Sequence, residues 1–433
     1  MSAASTPKDL PEKMPDKLSA VQAGFLDNAC LKRLFAEIGA SGGEVRVNGG
    51  AVRNALLGEP VNEVDLSTTL DPDAVTDCLE AAGIKVVATG KEHGTVTAIC
   101  DGSGYEITTL RRDVETDGRR AVVAFGTDWH EDALRRDLTM NALYCDGEGR
   151  LFDPLGGYDD LRERRVRFIG KAEERIGEDY LRILRFFRFF AWYGGGRPDA
   201  DGLKACTRLK SNIARLSVER VWMELKKLLL APDPSRAILW MRTTGVLGEV
   251  LPESVKWGTD SFPAMIALEA DLALAGDPLL RLMTIIPPRA EPVSGLGKRL
   301  KLSLKERERL ANWVEAVEPS PDASEPEFAR LLYMSDRQAV LDRLMVAMAR
   351  IMTYERDEQV RDKQVDALKQ LHALAGNWQR PSFPISGSDL IAVGFSPGPQ
   401  MGRVLGMLEH AWLESGFSLS HDALMQRARD GVE

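Results

Sequence analysis

The sequence is poor in the residues that build disulfide frameworks and zinc sites. Its five cysteines are widely scattered and contain no CxxC pair, and its five histidines have no metal-ligand companions at usable spacing. An odd number of scattered cysteines is typical of reduced thiols rather than of a disulfide framework. We therefore expect free thiols in a cytoplasmic protein.

Long apolar segments are also missing. No uncharged apolar run approaches the roughly 18 residues that a membrane-spanning helix needs. The N-terminal stretch MSAASTPKDLPEKMPDKLSA lacks the apolar core of a secretory signal. We expect no membrane association, and we interpret residues 1–22 as a flexible or loosely docked arm.

The charge balance excludes a protein that is coated by nucleic acid over its whole surface. The net charge is −9, with 44% hydrophobic and 28% charged residues, as in ordinary globular proteins. A local basic track is still compatible with this balance, because salt confines surface fields to about 10 Å. The length of 433 residues suggests two to four folding units at about 150 residues each.

Strand and helix patterns alternate only in the first third of the chain. EVRVNGG, EVDLSTT, KVVAT, TVTAIC and YEITTL are β-branched runs, with a helical DPDAVTDCLEAAG among them. The charged segment RDVETDGRRAVVAFGTDWH is interpreted as a mobile loop. After about Phe168 only helical patterns remain. We predict an α+β fold, a head of roughly four or five strands followed by helices.

Two glycines mark a possible phosphate site. Gly49 and Gly50 end a strand directly before a helix, where backbone N–H groups and the helix dipole favour a phosphate. Arg53 adds a guanidinium suited to the same ligand. The alternative is a tight turn with a surface arginine. No lysine follows at P-loop spacing and GxGxxG is absent here.

Acidic residues follow this turn. Glu63 and Asp65 are two apart on an expected strand, so both carboxylates would share a face and a divalent ion, and Glu106 on a later strand would complete a triad. Arg136 and Asp137 together would hold a ribose, with the carboxylate accepting a bond from the 2′-OH. The alternatives are a solvated acidic strand end and a helix-capping aspartate.

Four segments, in order, resemble the successive motifs of class II tRNA nucleotidyltransferases, the CCA-adding enzymes, whose head is shared by bacterial poly(A) polymerases. They are GGAVRNALLG, EVDLSTT, RRDLTMNAL with LFDPLGGYDDL, and EDYLRILRFFRF. The resemblance covers nearly the whole chain apart from the arm. It implies a polymerase-β-like head at 23–165, a helical neck with a nucleotide-templating helix at 166–250, and a helical, tRNA-binding body and tail at 251–433.

The resemblance also implies roles for particular residues. The catalytic carboxylates would be Glu63, Asp65 and Glu106, of which Glu63 and Asp65 would bind Mg²⁺. The nucleotide-binding residues would be Gly50, Arg53, Arg136, Asp137, Asp179, Arg182, Arg185 and Arg188. The substrates would be tRNA, CTP and ATP. The oligomeric state is left open.

Hydrogen-bond chemistry explains why an aspartate and an arginine would select bases. Asp179 and Arg182, at positions i and i+3, would project from one helix face, one as acceptor and the other as donor. Cytosine and adenine satisfy such a pair, whereas uracil and guanine leave like groups facing each other, at about 1–3 kcal/mol per unsatisfied group. The alternative is a core helix whose arginines reach solvent.

The sequence departs from the family pattern at the metal site. Glu63 stands where the family normally has Asp, and Asn54 replaces a frequent Asp. The competing functions are therefore a poly(A) polymerase, an enzyme that adds only CC or only A, and a non-catalytic RNA-binding protein with a decayed metal site. Poly(A) polymerases usually carry a basic C-terminal tail, whereas this chain ends in QRARDGVE.

Overall fold

The computed structural model describes residues 10–90, 94–117, 120–255 and 257–430. The chain divides into two compact units, Met1–Val255 and Lys256–Glu433. The described part of the first unit contains sheet and helix, and that of the second contains helices and connecting loops. The α+β fold class predicted from the sequence is confirmed.

The first unit is built on a mixed sheet. Its strands are β1 (Val45–Asn48), β2 (Asp65–Thr68), β3 (Lys85–Gly90), β4 (Thr95–Cys100), β5 (Ser103–Thr109), β6 (Arg111–Asp117), β7 (Arg120–Phe125), β8 (Tyr144–Cys145) and β9 (Leu151–Phe152). Seven of them form one sheet in the order β3-β4-β5-β2-β1-β8-β9, and β6 and β7 form a separate pair. Within the large sheet only β2 and β5 pair in parallel.

Both units contain helices. In the first unit they are α1 (Ala29–Ala40), α2 (Gly50–Leu57), α3 (Pro72–Ala81), α4 (Trp129–Leu134), α5 (Gly157–Arg162), α6 (Ala172–Glu178), α7 (Leu181–Tyr193), α8 (Ala200–Leu209), α9 (Val218–Leu229), α10 (Ser235–Thr244) and α11 (Val246–Val250). In the second they are α12 (Phe262–Asp271), α13 (Pro278–Ile285), α14 (Ala290–Arg299), α15 (Leu304–Glu315), α16 (Glu325–Met334), α17 (Arg337–Tyr354), α18 (Glu358–Asn377), α19 (Gly387–Ala392), α20 (Pro399–Glu414) and α21 (His421–Asp430).

The turn between β1 and α2 forms as the glycines predict. Gly49 has φ 61° and ψ −112°, a backbone conformation that only glycine adopts readily. The turn places α2 against the sheet, where Ala51, Val52 and Leu56 are buried. The helix N-terminus therefore opens at the end of β1, beside β2.

The prediction that residues 112–130 form a mobile loop is wrong. Its larger part forms the hairpin β6–β7, with six residue pairs in register and one irregularity between Asp113 and Glu115. The short strands β8 and β9 were also missed. Both hairpins are held by backbone hydrogen bonds between neighbouring strands, so their charged or very short sequences carry little of the apolar alternation that identifies a strand.

The helix expected from Gly177 onward is interrupted. Asp179 is extended, with φ −150° and ψ 109°, and separates α6 from α7. Its side-chain carboxylate accepts a bond from the Leu181 backbone N–H at 3.1 Å. An aspartate that bonds the backbone in this way competes with helix continuation and favours a helix start.

The expectation of free thiols is wrong for one pair of cysteines. Cys30 on α1 and Cys100 on β4 form a disulfide across 70 residues of sequence, with their Cα atoms 5.9 Å apart. The remaining cysteines, Cys78, Cys145 and Cys206, are free. Sequence spacing could not indicate the pair, because α1 and β4 approach each other only in the folded unit.

Apolar side chains of α7 contribute to the core of the first unit. Phe186 and Phe187 are fully buried, and Phe186 stacks on Phe168 with ring centroids 5.3 Å apart. In the second unit Trp313 and Phe328 are fully buried. Both units therefore have apolar cores of their own.

The described part of the arm is docked on the head. Leu18 is buried and its N–H donates to the Gly149 carbonyl at 2.9 Å. The Tyr158 hydroxyl donates to the Pro11 carbonyl at 2.9 Å. Residues 1–9 lie outside the described part of the chain. None of the helices that the structure describes is long and apolar enough to cross a membrane.

Candidate active site

Most of the predicted site residues line one cavity of about 800 Å³ in the first unit, here called the Arg53 cavity. They are Gly50, Arg53, Glu63, Asp65, Arg136, Asp137, Asp179, Arg182, Arg185 and Arg188. Glu106 is not among them. It lines a neighbouring cavity of about 790 Å³, the Glu106 cavity, together with Glu63 and Asp65. The two acidic residues before and at the start of β2 therefore form a wall common to both cavities.

The Arg53 cavity carries an excess of positive charge. Eight basic and four acidic side chains line it. The basic ones are Arg53, Arg135, Arg136, Arg182, Arg185, Arg188, Arg220 and Lys227. Fields of one sign in a cleft with low-dielectric walls attract ligands of the opposite charge. The cavity therefore suits a polyanion such as a nucleoside triphosphate.

Arg53 is buried with neutral partners only. Its guanidinium donates to Asn141 Oδ1, to the Tyr193 hydroxyl at 2.8 Å and to Asn54 Oδ1 at 3.0 Å. It also lies over the Tyr193 ring, 4.1 Å from the centroid. Burial lowers its pKa, and among the described residues no carboxylate pairs with it. A buried cation without a counter-ion is stabilised by an anionic ligand.

The three predicted carboxylates lie near one another, at the start of β2 and beside it on β5. Leu66 of β2 pairs with Ile107 of β5, and Asp65 and Glu106 directly precede that pair. Their side chains therefore leave neighbouring strands, about 4.8 Å apart, on one face. Glu63 reaches the site from the loop before β2, because the strand begins at Asp65. The expectation that Glu63 and Asp65 lie on one strand is wrong, although both line the same wall.

The negative charges of these carboxylates act on one another. Burial raises the pKa of Asp65, and the negative charges of Glu106 and Glu63 raise it further. Within the described part of the chain, the three do not close into a cluster whose ligand oxygens all lie within 4.8 Å of one another. The oxygens of three acids that repel one another are the ligand set that Mg²⁺ prefers, and a divalent cation would relieve the repulsion. The chemistry of these residues therefore fits a site for a divalent cation.

Arg136 is held by protein groups. Its guanidinium pairs with buried Asp132 at 3.0 Å and donates to Asn48 at 2.9 Å and to Ser67 at 3.2 Å. This network ties α4 to β1 and β2.

Asp137 is likewise engaged. Its Oδ2 pairs with Arg185 at 2.6 Å, and its Oδ1 accepts bonds from the Leu138 N–H and the Asn141 amide. Burial opposes ionisation, but Arg185 and Asn141 outweigh it and hold the pKa of Asp137 well below its usual range. This carboxylate joins the head to α7.

The predicted base-reading residues line the same cavity but have separate partners. Asp179 Oδ2 pairs with Arg220 of α9 at 2.6 Å. Arg182 pairs with Glu178, and donates to the Arg175 carbonyl at 2.7 Å. The expectation that both project from one helix face is wrong, because Asp179 precedes α7 in an extended conformation and only Arg182 lies on the helix.

Arg188 and Glu224 form an ion pair, 3.0 Å apart, between α7 and α9. Burial lowers the pKa of Arg188, and Glu224 opposes that change. Nearer the C-terminus of α7, Trp192 Nε1 donates to the Lys227 carbonyl at 2.9 Å. These contacts therefore hold α7 against α9 at both Arg188 and Trp192.

Several site residues escaped the sequence analysis. Tyr193 and Asn141 hold Arg53. Asn141 lies within the motif RRDLTMNAL but was given no role, and Tyr193 lies outside the quoted motifs. Arg220 also escaped the sequence analysis. Its partner, Asp179, lies 41 residues away and could not be identified without the fold.

Family models match two regions of the chain. Residues 45–167 match the poly A polymerase head domain, and residues 198–257 match the probable RNA and SrmB-binding site of polymerase A. The first region contains β1 to β9 and the second contains α9 with Arg220. The residues from Gly50 to Asp137 therefore lie within the first match, and Asp179 to Arg188 lie between the two matches.

Full-length relatives decide the family. The chain is 33% identical over 423 residues to the mitochondrial CCA tRNA nucleotidyltransferase 1 of Mus musculus, covering 94% of this chain and 92% of the relative. It is 32% identical over 433 residues to the CCA-adding enzyme of Leuconostoc citreum, covering 96% and 99%. This chain belongs to the CCA-adding enzymes. It is thus a nucleotidyltransferase.

Solved structures of CCA-adding enzymes have the same fold. The Bacillus stearothermophilus CCA-adding enzyme in complex with CTP aligns with a TM-score of 0.71 at 26% identity, over 95% of this chain and 98% of that one. The Thermotoga maritima CCA-adding enzyme complexed with tRNA aligns at 0.68 and 19% identity, over 96% and 99%. The polymerase-β-like head with helices after it is thereby confirmed.

Proposed function

We propose that this CCA-adding enzyme transfers CMP and AMP from CTP and ATP to the tRNA 3′ end in the Arg53 cavity, releasing pyrophosphate. One observation carries the assignment of the site. A single cavity joins the carboxylate wall, a buried guanidinium without a counter-ion, the acceptor Asp179 before α7 and the donor Arg182 on α7. These are the groups that phosphoryl chemistry, triphosphate binding and base selection each require.

Arg53 would hold the triphosphate, with the Gly50 backbone N–H beside it. The N-terminus of α2 has no side-chain cap, so its backbone N–H groups remain available to a phosphate. Because Asn141, Asn54 and Tyr193 are neutral, they orient the Arg53 guanidinium without cancelling its charge. The triphosphate would then supply the missing counter-charge.

Glu63 and Asp65 would bind Mg²⁺, with Glu106 as the third carboxylate. When bound, the ion lowers the pKa of the attacking hydroxyl and neutralises triphosphate charge. The extra methylene of Glu63 moves its carboxylate by about an ångström relative to the Asp of the family, a shift to which catalysis is sensitive. Its place in the loop before β2, rather than on the strand, leaves the backbone room to absorb that difference.

Asp179 and Arg182 would select the base. Asp179 can accept the exocyclic amino group of cytosine or adenine while keeping Arg220, because a carboxylate has about four acceptor positions. Arg182 would donate to the adjacent ring nitrogen, and Arg185 and Arg188 would line the same pocket. The ribose role of Arg136 and Asp137 stays a prediction, since both are held by protein partners.

Other assignments from the sequence also stay proposals. The neck at 166–250 and the body and tail at 251–433 would contact tRNA by shape and phosphates, since RNA duplexes allow little base readout. The match of 198–257 to an RNA-binding module supports this placement. A cytoplasmic location remains an expectation from the sequence.

The test supplies purified protein with Mg²⁺, a tRNA that ends at the discriminator base, and labelled nucleotides singly and combined. We expect addition of C, C and A and refusal of U and G. A long A tail would indicate a poly(A) polymerase, and CC or A alone a partial enzyme. No incorporation by the wild type, with activity restored by Glu63→Asp, would place the fault in the metal site. No incorporation by either would leave a non-catalytic RNA-binding protein.

A further inference from the structure

We propose that Cys30 and Cys100 form a reversible thiol–disulfide site that sets the catalytic rate. The inference rests on the proposed function, because the pair would act on the strand that carries Glu106. The disulfide joins the first turn of α1 to the last residue of β4. Neither cysteine lines the Arg53 cavity or the Glu106 cavity. The pair would therefore act on the site from outside it.

The disulfide connects α1 to the strands that position the third carboxylate. β4 and β5 form one antiparallel hairpin, and Glu106 lies on β5. The hydroxyl of Tyr105, the residue before Glu106, donates to Asn28 Oδ1 at 3.1 Å. Asn28 in turn caps the N-terminus of α1. The disulfide and this hydrogen bond therefore fix the hairpin that carries Glu106 to the N-terminal end of α1.

Reduction removes the covalent one of these two links. The hairpin can then shift relative to α1, and Glu106 shifts with it. A displacement of about an ångström at a reacting group can lower the rate about a hundredfold, so a fraction of that shift changes kcat measurably. The groups proposed to bind CTP line the Arg53 cavity, to which neither α1 nor β4 contributes. The KM for CTP should therefore not depend on the disulfide.

The fold accommodates both redox states of the pair. Cys30 and Cys100 are 5% and 8% exposed, and the turn that follows Cys100, Asp101 and Gly102, is exposed. Asp101 Oδ2 lies 3.1 Å from Cys30 Sγ, so the reduced Cys30 thiol has an acceptor for its proton. The proposed substrate, tRNA, is an intracellular molecule, and disulfides of proteins in reducing compartments are usually transient and redox-sensing. These features suit reversible oxidation.

The oxidant in this proposal is a low-molecular-weight disulfide, represented by glutathione disulfide. One protein thiolate attacks a sulfur of the oxidant, forms a mixed disulfide and releases one glutathione. The second protein thiolate attacks the mixed disulfide and releases the other glutathione. Two electrons and two protons thus pass from the two cysteines to two glutathione molecules. An excess of dithiothreitol reverses both exchanges.

The experiment measures thiol content and steady-state kinetics on the same full-length protein, with CTP, Mg²⁺ and a tRNA that lacks CCA. One sample is equilibrated with glutathione disulfide and one with dithiothreitol, and each reagent is removed before the assay. We expect oxidation to remove two titratable thiols, and peptide mass spectrometry to find them in a Cys30–Cys100 disulfide. We expect kcat to be on the order of tenfold higher in the oxidised sample, with equal KM for CTP. Returning the oxidised sample to dithiothreitol should restore the lower kcat.

Two variants separate the pair from the other thiols. Cys30→Ser should have the kcat of the reduced wild type under both conditions, and Cys30→Ala takes its place if the serine variant does not fold. Cys78→Ser is the matched control, because Cys78 is a free, half-buried cysteine of α3. It should respond to oxidation as the wild type does. A disulfide with a purely structural role would change the melting temperature without changing the kcat of the folded protein.

Each remaining outcome decides the proposal. A thiol count that does not change between the two conditions, or equal kcat values in the two redox states, overturns it. Nucleotide incorporation in neither state would overturn the proposed function, and the effect on kcat with it. The thiol count of the same samples would then still decide whether the disulfide is reversible.

Discussion

At the scale of the residue, the site is organised by how each buried charge is compensated. Arg136 and Arg185 have carboxylate partners, Asp132 and Asp137, whereas Arg53 has neutral ones. Arg136 and Arg185, which already have buried counter-ions, hold the protein structure around the site together. Arg53, which lacks one, is the best placed to gain from an anionic substrate.

The first prediction concerns Tyr193, whose hydroxyl accepts from Arg53 and whose ring lies beneath the guanidinium. Tyr193→Phe keeps the ring and removes the acceptor, so the orientation of Arg53 becomes less fixed. We expect the KM for both CTP and ATP to rise about tenfold, the effect of losing a hydrogen bond to a charged group. The KM for tRNA should not change. Trp192→Phe is the control, because Trp192 bonds the Lys227 carbonyl rather than Arg53. Equal nucleotide KM values in all three proteins would contradict a positioning role.

The second prediction concerns Asp137 and stability. Asp137→Asn leaves the Arg185 guanidinium without its carboxylate, and we expect a loss of about 3 kcal/mol in the free energy of unfolding near neutral pH. The pKa of Asp137 is depressed in the folded state. Its stabilisation is therefore complete above its unfolded pKa, about 3.9, and is lost as the pH falls below that value.

Urea unfolding of the wild type and of Asp137→Asn at several pH values checks this pH dependence of stability. The difference between them should be largest near neutral pH and should shrink as the pH falls below about 4. Asp27→Asn is the control, since the exposed Asp27–Lys32 pair should contribute less than about 1 kcal/mol. A difference that does not vary with pH would show that ionisation of Asp137 is not the cause.

At the scale of the element, α7 carries residues that we propose contact both ends of the nucleotide. Arg182 lies near its N-terminus and Tyr193 at its C-terminus. An α-helix rises about 1.5 Å per residue, so these residues are about 16 Å apart along the axis. One helix therefore fixes the spacing between the residues proposed to read the base and to hold the triphosphate, and α9 contacts this helix.

The third prediction tests that support. Arg220→Ala removes the α9 partner of Asp179 and leaves the carboxylate free to turn away from the base. We expect the ratio of kcat/KM for CTP to that for UTP to fall about tenfold, the effect of losing one charged hydrogen bond at the reading group. Arg208→Ala is the matched control, because it also removes an arginine from an ion pair, the exposed pair of Arg208 with Glu173. An unchanged ratio, with only stability affected, would make Arg220 a structural residue.

At the scale of the whole molecule, the nucleotide site belongs to one unit. The residues that line the Arg53 cavity run from Asn48 to Leu230, within Met1–Val255. The second unit has an apolar core of its own around residues such as Trp313. Every residue that lines the proposed nucleotide site is therefore present in a fragment that ends at Val255.

The fourth prediction follows from this division. A fragment of residues 1–255 should fold and bind CTP with Mg²⁺ within about threefold of the affinity of the full chain, because it keeps every lining residue. Its KM for tRNA should rise strongly, since the body and tail are gone. Calorimetric titration with CTP measures the first quantity, and Arg53→Ala in the fragment is the control. A folded fragment that does not bind CTP would show that the second unit completes the site.

The sequence by itself determined the local features. The β1 strand and the Gly49 turn follow from alternation and from glycine's freedom at positive φ, and the family follows from motifs that lie within short stretches of chain. Such features depend on neighbouring residues, which a sequence displays directly.

Only the tertiary structure decided which groups pair. The Arg53–Tyr193, Asp179–Arg220 and Cys30–Cys100 contacts join residues far apart in sequence. The break at Asp179 and the β6–β7 hairpin depend on backbone hydrogen bonds that no periodicity records. Long-range pairing is set by how helices and strands pack, and burial then decides which charges need a partner.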